Sequence, residues 1–266
     1  MVDRTVPRTL HAADPPALAR VAFVLVHPSH PGNVGAAARA MRTMGLADLR
    51  LVAPRHLDVL ERPEALALAS GARDLLAGAR LFATLDEAIG DVALAVAVSA
   101  EPREFGPVPL PPETCATRAF AVLAADPRQR VAFVFGAERT GLSIGQVQAC
   151  GLLASIPANP SYSSLNLAQA LQIVAYCVRR AALAQEPVPP SSDDDGRETL
   201  ADQRAIQGLL LHLEQALGTI GFLDPAHPKK LMPRLRRLLL RARLRTEEVD
   251  LLRGVCHKIE RHRGGS

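Results

Sequence analysis

Tryptophan is absent, and aromatic residues make up only 3% of the 266-residue chain. Stacked aromatic rings are therefore excluded as the main means of holding nucleic-acid bases. Cysteine is scarce: the four residues, at 115, 150, 177 and 256, include no CxxC pair. That excludes a dithiol redox motif and a zinc ribbon and leaves buried free thiols. Long apolar runs are missing as well. The longest, such as Val92–Val98, fall far short of the ~20 residues a membrane helix needs. The first 20 residues hold no apolar stretch of signal-peptide type. The chain is expected in the cytoplasm, with no membrane partner. No P-loop, GxGxxG, GxSxG, HExxH or HxE…CxxC pattern occurs, and the eight histidines do not cluster at ligand spacing. P-loop nucleotidase, serine-hydrolase and zinc-enzyme readings fall with those patterns, and the dinucleotide-binding reading weakens. No metal is expected.

What is present is ordinary globular material, with 48% hydrophobic and 22% charged residues, enough to bury a sizeable core. The formal charge of +4 is unevenly placed. Pro225–Ser266 carries 12 Lys and Arg against 4 Asp and Glu, a net +8, so everything before it sums to −4. Lysine occurs at only three positions, and nearly all the positive charge is arginine. A basic end on a slightly acidic body points to a polyanion, most simply nucleic acid, and arginine forks suit phosphates. Arg234, Arg236, Arg237, Arg241, Arg243 and Arg245 are the candidates. They span more than one helical face, so they cannot all serve one surface.

Residues 21–184 alternate short apolar runs with helical patterns. Val21–Val26, Leu49–Val52, Ala93–Val98, Val131–Phe135 and Leu152–Ile156 read as parallel strands buried on both faces. Gly35–Met44, Glu64–Gly71, Glu113–Ala125 and Leu165–Ala184 read as helices, with Asn33 able to cap the first. This order predicts an α/β domain over 21–184, preceded by a flexible tail over 1–20. Residues 185–199, rich in Pro, Ser and Asp, read as a linker. Leucine-rich patterns over Leu200–Gly218, Lys229–Leu244 and Thr246–His262 predict a small helical extension, 200–266. Some 60 residues make a marginal core, so docking or oligomer contacts are expected.

Three loops follow strand-type runs: His27–Arg39, Phe135–Ser143 and Ile156–Ala168. In open α/β sheets ligands collect at the carboxyl ends of strands. The segments NxGxxxR at 33–39, GxExxG at 136–141 and SSLNLA at 163–168, in that order, resemble the three motifs of the SpoU/TrmH branch of SPOUT RNA methyltransferases. The resemblance covers about 21–184. The linker, the helical extension and the sequence YSSLNLAQA are most similar to the TrmJ subgroup.

That resemblance implies a SPOUT-type parallel sheet with a deep trefoil knot, S-adenosylmethionine as cofactor, a homodimer and a tRNA substrate. The implied reaction is 2'-O-methylation of cytidine or uridine at nucleotide 32 of the anticodon loop. A ribosomal RNA methyltransferase of the same fold, or an RNA binder that has lost catalysis, are the other readings. Arg39 is implied to bind and activate the ribose hydroxyl, and its chemistry suits an electrostatic role better than that of a base. Residue types alone would equally allow a surface arginine. Asn33 caps a helix, orients Arg39, or both, and Gly35 lets backbone approach a substrate or a partner helix. Glu138 fixes its loop or contacts the active-site network. Ser164 and Asn166 stand near substrate and cofactor, or cap the helix that follows. Cofactor contacts are implied at Val98, Ser99, Ala100, Gly136, Gly141, Ile156, Ser163, Ser164 and Leu165. One departure is plain: TrmJ-like chains tend to carry Thr-Ser-Ala-Arg where this one has Val98-Ser-Ala-Glu-Pro-Arg103, so no RNA contact is assigned to Arg103.

Overall fold

The computed structural model describes residues 14–101, 103–184, 199–224, 227 and 229–263. Seven strands form one sheet: β1 (Val21–Val26), β2 (Asp48–Val52), β3 (Arg80–Phe82), β4 (Leu94–Val98), β5 (Pro109–Leu110), β6 (Val131–Phe135) and β7 (Leu152–Ala154). Their spatial order is β3-β2-β1-β6-β4-β7-β5, and every pairing is parallel. The helices of this body are α1 (Pro31–Thr43), α2 (Pro63–Ala69), α3 (Arg73–Ala77), α4 (Leu85–Ala88), α5 (Pro112–Ala125), α6 (Ile144–Gln148) and α7 (Leu167–Leu183).

Strand periodicity sorts the core into two layers. Phe23, Leu25, Phe133 and Phe135 face one side, where Val34, Met41, Phe120, Leu171 and Val174 cover them. Their neighbours Ala22, Val24, Ala132 and Val134 face the other, against Leu85, Ile89 and Val147. Both faces being covered explains why the central strands read as continuous apolar runs. The amino ends of the strands carry a charged cluster. Buried Arg50 pairs with Asp48 and Asp91, and Arg80 and Arg130 also reach Asp48. Burial pushes the Asp48 carboxyl up, but its arginine hydrogen bonds and charges prevail and hold it at about 2. The carboxyl ends are left for loops.

Three helices follow: α8 (Gln203–Thr219), α9 (Leu231–Ala242) and α10 (Thr246–Arg263). Asp202 caps α8 by accepting from the Ala205 amide at 2.8 Å. Their small core contains Ile206, Leu209, Leu210, Leu239 and Val249. As expected of so small a core, the extension docks: the Gln203 amide donates to Val92 (2.9 Å), and Gln129 donates to the Leu200 carbonyl (3.0 Å). Of the expected tail, residues 1–13 lie outside the described residues. Pro16–Arg20 forms a 3-10 turn whose Leu18 is fully buried, and Asp14 pairs with Arg179 at 2.9 Å. The expected linker lies outside the described residues apart from Thr199. All four cysteines are buried and free.

Candidate active site

The chain runs outward from β1 through β2 to β3, then crosses to β4 on the far side of β6. The β1/β6 junction is thus the switch point where α/β sheets bind ligands. Loops leave the carboxyl ends of four adjacent strands there, after Val26, Phe135, Val98 and Ala154.

Glu138, in the loop after β6, ties that loop to the one after β1 and, through Asn33, to the one after β7. One carboxylate oxygen accepts from the Ser29 amide (2.9 Å) and hydroxyl (2.8 Å), the other from the His30 amide (3.1 Å) and Asn33 Nδ2 (3.0 Å). Asn33 Oδ1 in turn accepts from Asn166 Nδ2 at 3.0 Å. The orientation of both amides follows from their partners. A carboxylate only accepts, so Asn33 must offer it nitrogen, and its oxygen is left for Asn166. Asn166 Oδ1 faces the amides of Ala168 (2.9 Å) and Gln169 (3.4 Å), which only donate. Burial pushes the Glu138 carboxyl up, yet the bonds from Asn33 and Ser29 outweigh it and hold the group at about 2.

Beside this network lies a cavity of about 340 Å³. Its lining includes Val98, Ser99, Ala100, Gly136, Gly141, Ile156, Ser163, Ser164 and Leu165, every residue expected to touch a cofactor, together with Glu138. Phe135, Arg139 and Thr140 line it too. Glu101 and Arg103, the departing segment, pair with each other at 3.1 Å on its edge. The glycines shape the cavity. Gly141 has φ +64°, and its amide donates to Ala137 at 2.8 Å. A Cβ on Gly136 would stand 2.1 Å from the Gly141 carbonyl carbon, so the loop closes only with glycine there.

Arg39 stands apart from this cavity. It is exposed and lines an open groove between α1 and α7 with Asn166, Gln169 and Gln172. Leu165 lines both the groove and the cavity. The expected cap of α1 needs correction, and the helix-approach reading of Gly35 holds. Asn33 does not cap α1: the helix starts earlier, with Pro31 in its first turn and His30 at the cap, so Asn33 is free to bridge Glu138 and Asn166. Gly35 serves helix packing, since a Cβ would meet the Ala65 carbonyl oxygen of α2 at 2.0 Å. Asn166, not Ser164, is the cap of α7. The histidines also differ from expectation. His212 of α8 and His257 of α10 lie edge to face, 5.9 Å between centroids, and both approach Glu260. These three residues bring ligand atoms within 4.8 Å of one another, a grouping able to hold a metal ion. Spacing along the chain gave no sign of it, because 45 residues separate the two rings, and none of the three lines the cavity. Ser29 is a further network residue, and its signal in the sequence is its place in the loop that follows the first strand.

The profile of the SpoU rRNA Methylase family matches residues 20–176, and that of the tRNA methyltransferase TrmJ C-terminal domain matches residues 204–266. The tRNA (cytidine/uridine-2'-O-)-methyltransferase TrmJ of Yersinia enterocolitica is 43% identical over 92% of this chain and 93% of its own. The chain belongs to the TrmJ branch of the SpoU methylase family. The Salmonella typhimurium TrmJ is 42% identical, covering 93% of this chain and 99% of its own. Among solved structures, TrmJ from Z. mobilis ZM4 superposes with a TM-score of 0.76 at 34% identity, over 91% of this chain and all of that one. A probable methyltransferase from Bordetella pertussis Tohama I is 49% identical, covering 62% of this chain and 98% of its own, with a TM-score of 0.60. The SpoU profile spans the sheet and its loops, and the TrmJ profile spans the three docked helices.

Proposed function

We propose that this TrmJ-family chain is an S-adenosylmethionine-dependent tRNA ribose 2'-O-methyltransferase that modifies cytidine or uridine at nucleotide 32 of the anticodon loop. It works in the cytoplasm as a homodimer, and its α/β body is knotted as a trefoil. The single observation that carries the reading is the Glu138–Asn33–Asn166 chain of hydrogen bonds, which couples the cavity to the Arg39 groove.

S-adenosylmethionine fits the cavity by size and chemistry. About 340 Å³ lies within the range of small-molecule sites. Val98, Ile156 and Leu165 offer apolar walls for an adenosine, and Ser99, Ser163 and Ser164 offer hydroxyls for its polar atoms. Bound there, the cofactor supplies an electrophilic methyl group on a sulfonium. Arg39, always cationic, stabilises the negative charge that develops on the ribose oxygen. Glu138, held at about 2 and already accepting four hydrogen bonds, is too weak a base to take the proton. It positions Asn33, and through α1 it positions Arg39. Among the described lining residues of the groove there is no His, Asp or Glu, so the hydroxyl proton passes to a phosphate of the RNA or to water.

One feature supports the dimer and another the knot. Ile173 (36% exposed) and Tyr176 (50%) leave apolar surface along α7 next to the groove, which a second copy would cover. Strand β7 lies between β4 and β5, both of which precede it, so the chain returns into a gap laid down earlier. That return supports the knot. The test is methyl transfer from labelled cofactor to tRNA, with nucleoside mapping. Methylation at nucleotide 32 is expected; no transfer, or transfer only to ribosomal RNA, overturns the reading. For the dimer, mixing Arg39→Ala with Gly136→Val subunits should restore activity if each site takes Arg39 from one copy and the cavity from the other.

A further inference from the structure

A second cavity, about 330 Å³, opens on the far edge of the sheet where α9 docks against the body. Arg237, Arg241 and Arg243 line it from the extension, and Arg118 lines it from α5. No Asp or Glu lines it, and none of the four arginines has an ion pair among the described residues. Four like charges around one hollow repel, and Arg237 and Arg241 stand at i,i+4 spacing, where equal charges are unfavourable. The carboxyl end of α9 offsets part of this for Arg241 and Arg243 but does nothing for Arg118. Arg243 also holds φ +54° at the end of α9, a position that glycine usually takes.

The other basic residues of α9 are already engaged. Arg236 donates to Gln207 at 2.6 Å, and Arg234 and Lys230 lie over the ring of Phe105 at 5.6 and 5.0 Å. Lys230 also pairs with Glu104. The Lys230 and Arg234 contacts clamp α9 to the loop before β5, the Arg236 bond ties it to α8, and together they fix the three free arginines opposite Arg118. The hollow is larger than one phosphate needs, and Val108, Leu110 and Leu240 give it an apolar floor.

We propose that this cavity is a phosphate-binding site for the sugar–phosphate backbone of the RNA substrate, built jointly by the body and α9. It rests on the reading of the protein as a tRNA methyltransferase, and it supplies what the methyl-transfer site lacks: a grip on RNA distant from the reacting sugar. The test uses the full-length protein with Arg118, Arg237, Arg241 and Arg243 all changed to Gln, and measures tRNA affinity across a potassium chloride series. Affinity should fall roughly tenfold or more, and the slope of log Kd against log salt should shrink by about 1–2, near 0.7–0.9 for each phosphate the hollow no longer holds. Cofactor affinity should match wild type, and the melting temperature should not fall below it. The same four positions changed to Lys should keep most of the slope, which separates missing charge from misfolding. Arg73→Gln with Arg261→Gln, exposed charges outside the cavity, is the control and should change the slope by much less. A Gln variant with wild-type affinity and slope overturns the site, as does a control pair that shrinks the slope equally. Arg118→Gln alone with no effect overturns the joint construction. The two readings fail separately. Wild-type protein that binds RNA through these arginines but methylates no tRNA sinks the proposed function and leaves the site. Active wild type with an unchanged Gln variant does the reverse.

Discussion

On the cavity side of the proposed methyl-transfer site, polar groups are paired within one chain. Glu138 accepts from Ser29, His30 and Asn33, and Gly141 closes its loop onto Ala137. On the groove side, Arg39 is exposed and its side chain makes no hydrogen bond or ion pair among the described residues. A pocket for a small molecule gains affinity from groups fixed in advance. A surface for a macromolecule works differently: its counter-charge arrives with the partner, and pairing it internally would have to be undone at each binding. Under the proposed function, the contrast teaches that the chain completes its donor half and leaves its acceptor half open to RNA.

Breaking the closed half should have the largest effect. Gly136→Val drives a side chain into the Gly141 carbonyl, 2.1 Å from the Cβ position. Cofactor affinity, measured by calorimetry, should fall by more than about 100-fold, the scale of a misplaced site, and transfer should vanish. Next comes the open half. Arg39→Ala should lower kcat by roughly 100- to 1,000-fold, as for loss of one oxyanion-stabilising donor, while cofactor affinity stays at the wild-type value. Equal losses of cofactor binding in both variants would dissolve the distinction between the halves.

Glu138 sharpens the comparison through pH. Its carboxyl lies at about 2 in the folded chain against an ordinary 4.5, so the stability it contributes is complete above about 4.5 and is lost as pH falls toward about 2. Glu138→Gln should therefore melt below wild type at neutral pH, and the two curves should converge as the medium is acidified through that window. A gap that stays constant would mean that the network is not held by the carboxylate charge. Activity of the variant should drop about tenfold, through Arg39 placement.

How much of this was legible beforehand follows burial. The central strands were read correctly because both their faces are covered. Strands β3 and β5 escaped because each is short, lies at a sheet edge and has exposed residues in place of an apolar run. The three motif loops were visible as sequence, and so were Asn166 as a cap of α7 and Glu138 as a loop-fixing group, but the partners that join them were not. Asn33 read as a cap only because the helix was started at Gly35; Pro31, a residue that favours the first turn, was the overlooked signal. Gly35 promised a close approach without naming Ala65 as the neighbour. Arg118 carried no hint of its meeting with α9, since that pairing joins residues over a hundred positions apart.

The smallest expected effect lies at the joint between the halves, where Asn166 does two things with two atoms. Its Oδ1 caps α7, and its Nδ2 reaches Asn33. Asn166→Ala removes both and should cost about 1 kcal/mol, a typical cap loss. Asn166→Asp keeps an acceptor for the α7 amides and adds charge at a helix amino end, which is favourable. It gives Asn33 no donor. The Asn33 amide must then either leave its oxygen unpaired or turn round and take its nitrogen from Glu138. Thermal melting should therefore show Asp at or near wild type and Ala below it, while transfer rates of both fall by a similar, modest factor. Asp with wild-type activity would mean that the Asn33–Asn166 bond does not carry the coupling, and that Arg39 is aimed by helix packing alone.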